Sequence, residues 1–157
     1  MCNPRRGRDF GFGRRVKSDR LLATAHAIFL ALEDQDVNAI RSIIMETYGY
    51  DLSRSVDDIR LVHEYNETAF GCVPEALTCA LEAADYEDAL RNAVSLGGDA
   101  DTLAAIAGGL AEALFDIPDE LREAGLGYLP DSMKAVMADM YRCRDASQSA
   151  RTNRPTG

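Results

Sequence analysis

Asn92-Ala93-Val94-Ser95-Leu96-Gly97-Gly98-Asp99-Ala100-Asp101-Thr102-Leu103-Ala104-Ala105-Ile106-Ala107-Gly108-Gly109 is the stretch on which the reading of this chain turns. A helix end, a pair of glycines, an acidic turn and a second helix of small residues follow one another without a gap. Glycine tolerates the positive φ angles of a sharp turn, so Gly97 and Gly98 let the chain double back. The carboxylates of Asp99 and Asp101 and the Thr102 hydroxyl can then converge at the mouth of the second helix. Hard oxygen donors in that arrangement suit Mg2+, Mn2+ or Ca2+ rather than zinc. The same residue types also cap helices, because Asp and Thr oxygens accept hydrogen bonds from the unpaired amides of a first turn. Both readings stand at this level. Leu103–Ala111 is so poor in bulk that the helix must lie close against several neighbours, and the Gly108-Gly109 pair fits a central helix packed on more than one side.

Working outward, the apolar periodicity is helical throughout. Leu21, Leu22, Ala25, Ile28, Phe29 and Leu32 recur at three- and four-residue steps and predict the buried face of a helix over about Ser18–Glu33. Asp36 opens a second helix with Val37, Ile40, Ile43, Ile44 and Tyr48 inward, and Gly49 closes it. A short helix is expected over Ser55–Val62, then an irregular connection over Glu64–Gly71. Proline in the first turn marks helix starts at Val73-Pro74, Ile117-Pro118 and Pro130-Asp131. Asp85 caps Tyr86–Ser95. With no alternating stretch of useful length, the fold class is all-α. His26 reads as a core or boundary histidine, and His63 has no partner histidine nearby in sequence and is assigned no role.

The chain has 157 residues, 46% of them hydrophobic, and a formal net charge of −9. That size predicts one domain with ample core. The charge is unevenly spread: residues 1–20 carry seven Arg and Lys against two Asp, whereas residues 21–140 hold a net −17. So acidic a body repels nucleic acid and draws in cations. The basic ends, residues 1–17 and 142–157, read as disordered segments flanking a helical domain at 18–141. Cys2, Cys72, Cys79 and Cys143 form no C-x-x-C pair, so a reduced cytoplasmic setting is expected. No stretch is long and apolar enough for a membrane span or a signal peptide, and no membrane partner is expected.

Gly71-Cys72-Val73-Pro74-Glu75-Ala76-Leu77, the run from Tyr86 through Ala113 and Ile117-Pro118 together resemble the C-terminal half of the ADP-ribosylglycohydrolase family, over about Leu21–Met140. The resemblance implies a compact multi-helix bundle around a centre of two Mg2+ or Mn2+ ions. It implies hydrolysis of the glycosidic bond that joins ADP-ribose to a protein side chain or a small conjugate. By position, Asp99, Asp101 and Thr102 are the implied metal ligands. Gly97 and Gly98 would let backbone approach the ligand, and Ser95 and Cys72 fall in segments near the ribose or phosphates. For Ser95 and Cys72 a capping serine and a buried thiol are the equal alternative. The family draws its other ligands and an acidic catalytic residue from an N-terminal half bearing a Thr-Asp-Asp-Thr-like motif, which this sequence does not contain. The sequence therefore reads as N-terminally truncated, its catalytic residue is unassigned, and a separate N-terminal half or a homo-oligomer is the expected partner. The rival reading is a noncatalytic helical module that binds ADP-ribose or a partner subunit.

Overall fold

A computed structural model describes residues 12–63 and 69–152, and among them every regular element is an α-helix. The helices are α1 (Phe12–Leu32), α2 (Val37–Tyr48), α3 (Val56–Val62), α4 (Ala69–Leu81), α5 (Tyr86–Ser95), α6 (Ala100–Leu114), α7 (Asp119–Gly127) and α8 (Asp131–Thr152). The chain divides into two compact units, Met1–Asp116 and Ile117–Gly157.

The local grammar of the first unit explains its helix ends. The Asp36 side chain accepts from the amides of Asn38 and Ala39 to start α2. Gly49, at φ 68°, takes the left-handed conformation that ends it and donates to the Met45 carbonyl. Ser55 and Asp58 form a reciprocal capping box at α3. Asp85 accepts from the Asp88 amide to begin α5. Glu82, just past α4, reaches across to accept from the Val56 amide at 2.7 Å, which ties the start of α3 to the end of α4.

α6 is the centre of the first unit and packs against α1, α4 and α5. Its Leu103, Ala107, Gly108, Leu110 and Ala111 are buried. The side chain missing at Gly108 explains how α5 comes so near: a Cβ there would lie 3.1 Å from Leu90 Cδ2 and 3.6 Å from the Tyr86 hydroxyl. The core adds Ile40 and Ile44 of α2, Leu52, Ile59 of α3, and Val73, Ala76, Leu77 and Ala80 of α4.

The face of α1 turned inward differs from the one its periodicity predicts. Ala23, Ala27 and Ala31 are buried, whereas Leu22, Phe29 and Leu32 are 52%, 51% and 47% exposed. Ala25 is exposed too, and of the expected face only Ile28 packs against the core. Small residues let the α1 axis approach the equally small-faced α6, and close axes gain more contact than a few bulky side chains held at a distance. The side chain of Leu21 lies outside the described residues.

Other boundaries also shift. α4 begins at Ala69, so Pro74 sits inside the helix rather than in its first turn. The part of the expected connection at residues 64–68 lies outside the described residues. Pro118 is the residue before α7, one place earlier than expected. α1 starts at Phe12 and α8 runs to Thr152.

Candidate metal centre

The turn between α5 and α6 has the shape its glycines predict. Leu96 and Gly97 close α5 by donating to the Ala93 and Val94 carbonyls, and Gly97 and Gly98 take φ values of 77° and 61°. A Cβ at Gly97 would meet nothing within 4 Å, so the requirement for glycine there is conformational rather than steric. Asp99 then stands at the N-cap of α6, where its carbonyl accepts from the Leu103 amide at 3.0 Å.

Its side chain does not act as a cap. Asp99 makes no hydrogen bond to the first-turn amides of α6, in contrast to Asp36, Ser55 and Asp85 at the other helix starts. The neighbouring Asp99 side chain first, then backbone amides including that of Thr102 at 3.0 Å, hold Asp101 below the usual carboxylate range. Asp101 and Thr102 are exposed and Asp99 is half-buried, so the pair faces outward from the turn.

Cys72 of α4 lies within electrostatic reach. Its thiol is pushed up by burial first, then by the carboxylates of Asp99 and Glu75. A buried thiol held protonated is a packing group rather than a nucleophile. Ser95 is committed elsewhere: its hydroxyl accepts from Arg60 Nε at 3.1 Å and Nη2 at 2.8 Å and donates to the Asn92 carbonyl at 2.8 Å. These bonds join α3 to the last turn of α5. Gly97, Gly98, Asp99, Asp101 and Thr102 thus lie on one turn, Cys72 is buried on α4 where the Asp99 carboxylate acts on it, and Ser95 is bonded to Arg60 and Asn92.

One charged cluster has no counterpart in the sequence reading. Glu75 of α4 is bonded to His63 Nδ1 at 2.9 Å, and Arg54 Nη2 lies 3.9 Å from its other oxygen. The His63 side chain is 4% exposed, and its buried Nε2 has no hydrogen-bond partner among the described residues. The legible signal was Glu75 itself, an acid set among Cys72, Val73, Ala76 and Leu77, all of them buried. A carboxylate on such a face needs a partner from a neighbouring element.

Among the described residues, no group of three or more His, Cys, Asp and Glu side chains converges as a cation cage. The turn supplies two carboxylates and a hydroxyl, hard oxygens that fit a share of a Mg2+ or Mn2+ site and leave most of its coordination to be filled. The model of the ADP-ribosylglycohydrolase family matches residues 17–150. The chain belongs to the ADP-ribosylglycohydrolase family. The match runs from α1 into α8 and includes the acidic turn, and the all-helical architecture agrees with it. No curated protein and no solved structure matches the chain. Members of this family are hydrolases that generally use metal ions. No helix among the described residues is long and apolar enough to cross a membrane.

Proposed function

We propose that this ADP-ribosylglycohydrolase-family chain contributes Asp99, Asp101 and Thr102 to a centre that holds Mg2+ or Mn2+ and cleaves the glycosidic bond of an ADP-ribosylated protein or small ADP-ribose conjugate in the cytoplasm. The observation that carries this reading is that the Asp99 side chain, although at the N-cap of α6, makes no bond to the first-turn amides. A carboxylate kept for the α6 amides would be spent on the helix, whereas this one is left uncommitted two residues from a second acid, the exposed Asp101. Bound there, two ions would hold the ribose diol, orient a water and offset charge as the bond lengthens. Gly97 and Gly98 keep the turn free of side chains on the ligand's approach, and burial and the nearby carboxylates keep the Cys72 thiol neutral. The remaining oxygen ligands belong to a segment of the Thr-Asp-Asp-Thr kind, without which cation affinity is weak and hydrolysis slight.

Titration of Mn2+ into the wild type, Asp99→Asn and Asp101→Asn tests the assignment. Both variants are expected to lower affinity while leaving the helix content and urea midpoint unchanged. A cap would behave otherwise, since Asn caps about as well as Asp and binding would be the same in all three chains. Equal binding curves would refute the metal assignment. The reading as a noncatalytic module is favoured by one observation, the exposed apolar face of α1. Calorimetry with ADP-ribose and no added metal separates the two, because binding of equal strength in Asp101→Asn would support the module.

A further inference from the structure

α3 is fastened at both ends to one face of α4. The Val56 amide at its start donates to Glu82 at 2.7 Å, and His63 at its end is bonded through Nδ1 to Glu75 at 2.9 Å. Seven residues separate the two pins on α3 and seven separate the two acids, so α3 runs antiparallel to α4 with its middle over position 79. Glu75, Cys79 and Glu82 follow at steps of four and three residues, the spacing of a single helix face. Ile59, three residues past the first pin, and Cys79, three residues before Glu82, are both buried. The influences on the Cys79 thiol agree with that register: after burial, which pushes it up most, come Glu75 and Glu82, which also push it up, and Arg60 of α3, which pulls it down. Little apolar surface holds α3 in place. Of its seven residues only Val56 and Ile59 are buried, while Leu61 and Val62 stand exposed, and so short a helix does not form alone. The rest of the attachment is polar, and it includes exposed Arg60, which donates to Ser95 of α5 from Nε at 3.1 Å and from Nη2 at 2.8 Å. An element with few buried apolar contacts opens at a lower free energy than the whole domain. We propose that α3 is a strap that releases from α4 as a unit while the other helices of the first unit stay folded, uncovering the Cys79 face of α4 and freeing the last turn of α5 that leads into Gly97-Gly98. The inference rests on the bonds of α3 itself and is independent of metal binding.

Thiol labelling of the full chain at mild alkaline pH and sub-denaturing urea, read peptide by peptide by mass spectrometry, tests the strap. Cys79 reports on the face beneath α3, and Cys72, three residues before Glu75 and outside the span of the strap, reports on the rest of α4. Cys79 is expected to react through an opening that urea hardly accelerates, because little surface is exposed, whereas Cys72 should react only with the steep urea dependence of global unfolding. Glu82→Ala and Arg60→Ala each remove one charged tie and should raise Cys79 labelling without urea about tenfold. Amide hydrogen exchange within α3, which involves no thiol chemistry, should rise by the same factor. The control Ile44→Val thins the fully buried core of α2, so it should lower the urea midpoint and leave Cys79 labelling without urea unchanged. Cys79 and Cys72 reacting together with one steep urea dependence would overturn the proposal. So would Cys79 labelling that rises as much in Ile44→Val as in Glu82→Ala, or that responds to neither Glu82→Ala nor Arg60→Ala.

Discussion

Gly108 and Gly109 are adjacent in one helix, yet a methyl group added at each should change stability in opposite directions. Both positions carry the same helical penalty, since glycine costs about 1 kcal/mol relative to alanine in a helix interior. At Gly109 the new Cβ would lie 3.8 Å from Ile28 Cδ1, an ordinary contact, so Gly109→Ala recovers most of that penalty. At Gly108 it would lie 3.1 Å from Leu90 Cδ2, closer than real Cβ atoms ordinarily come, with the Tyr86 hydroxyl at 3.6 Å behind. Leu90 must move aside, and overpacking of that kind costs about 1–3 kcal/mol. Gly108→Ala should therefore be neutral to destabilising by about 2 kcal/mol, and Gly109→Ala stabilising by about 0.5–1 kcal/mol. Urea melts followed by far-ultraviolet circular dichroism resolve the difference, because at an m-value of about 2 kcal/mol/M a change of 1 kcal/mol moves the midpoint by about 0.5 M. If Gly108→Ala stabilised as much as Gly109→Ala, α5 would not lie as close to α6 as described, and the account of α6 as the central helix would fail.

The other expected outcomes follow from single contacts. Asp36→Ala removes the acceptor of two first-turn amides and should cost about 1 kcal/mol in the same urea melts, whereas Asp36→Asn should cost little. His63→Ala strips the nearer partner from Glu75, whose side chain is 13% exposed, and should destabilise by about 1–3 kcal/mol; a neutral result would mean that Arg54 alone satisfies the carboxylate. Asp58 is held below 3.8 by its bonds to Ser55, so the stabilisation it brings to α3 is complete above that value and lost as pH falls through the lower folded value. Asp58→Asn should flatten the acid limb of the pH–stability curve. Burial, followed by Glu75 and Glu82, pushes the Cys79 thiol to about 12 from 9.0, so its contribution is intact below pH 9 and lost as pH rises toward 12. At mild alkaline pH a thiol reagent should label exposed Cys143 quickly and reach Cys72 only when the chain unfolds.

What the linear chain determined about this protein is its local physics. Asp36, Gly49, Ser55 and Asp85 act within a turn of their own backbone, so the helix ends they set could be read residue by residue. The Gly97-Gly98 turn is of the same kind, as is the family, since the acidic turn and the small-residue helix after it are contiguous. The tertiary structure alone decided what depends on a partner distant in sequence. Periodicity marks two faces of α1 without saying which one is covered, and the choice of the alanine face came from the small residues of α6 across the contact. Whether Asp99 would cap α6 likewise depended on the backbone conformation of the turn, which leaves its side chain without a bond to the first-turn amides. Ser95 was claimed by Arg60 on another helix, and Glu75 gained its meaning only when His63 and Arg54 were brought to it, because a buried carboxylate is stabilised by whichever donors the fold places within reach and sequence spacing does not carry that distance.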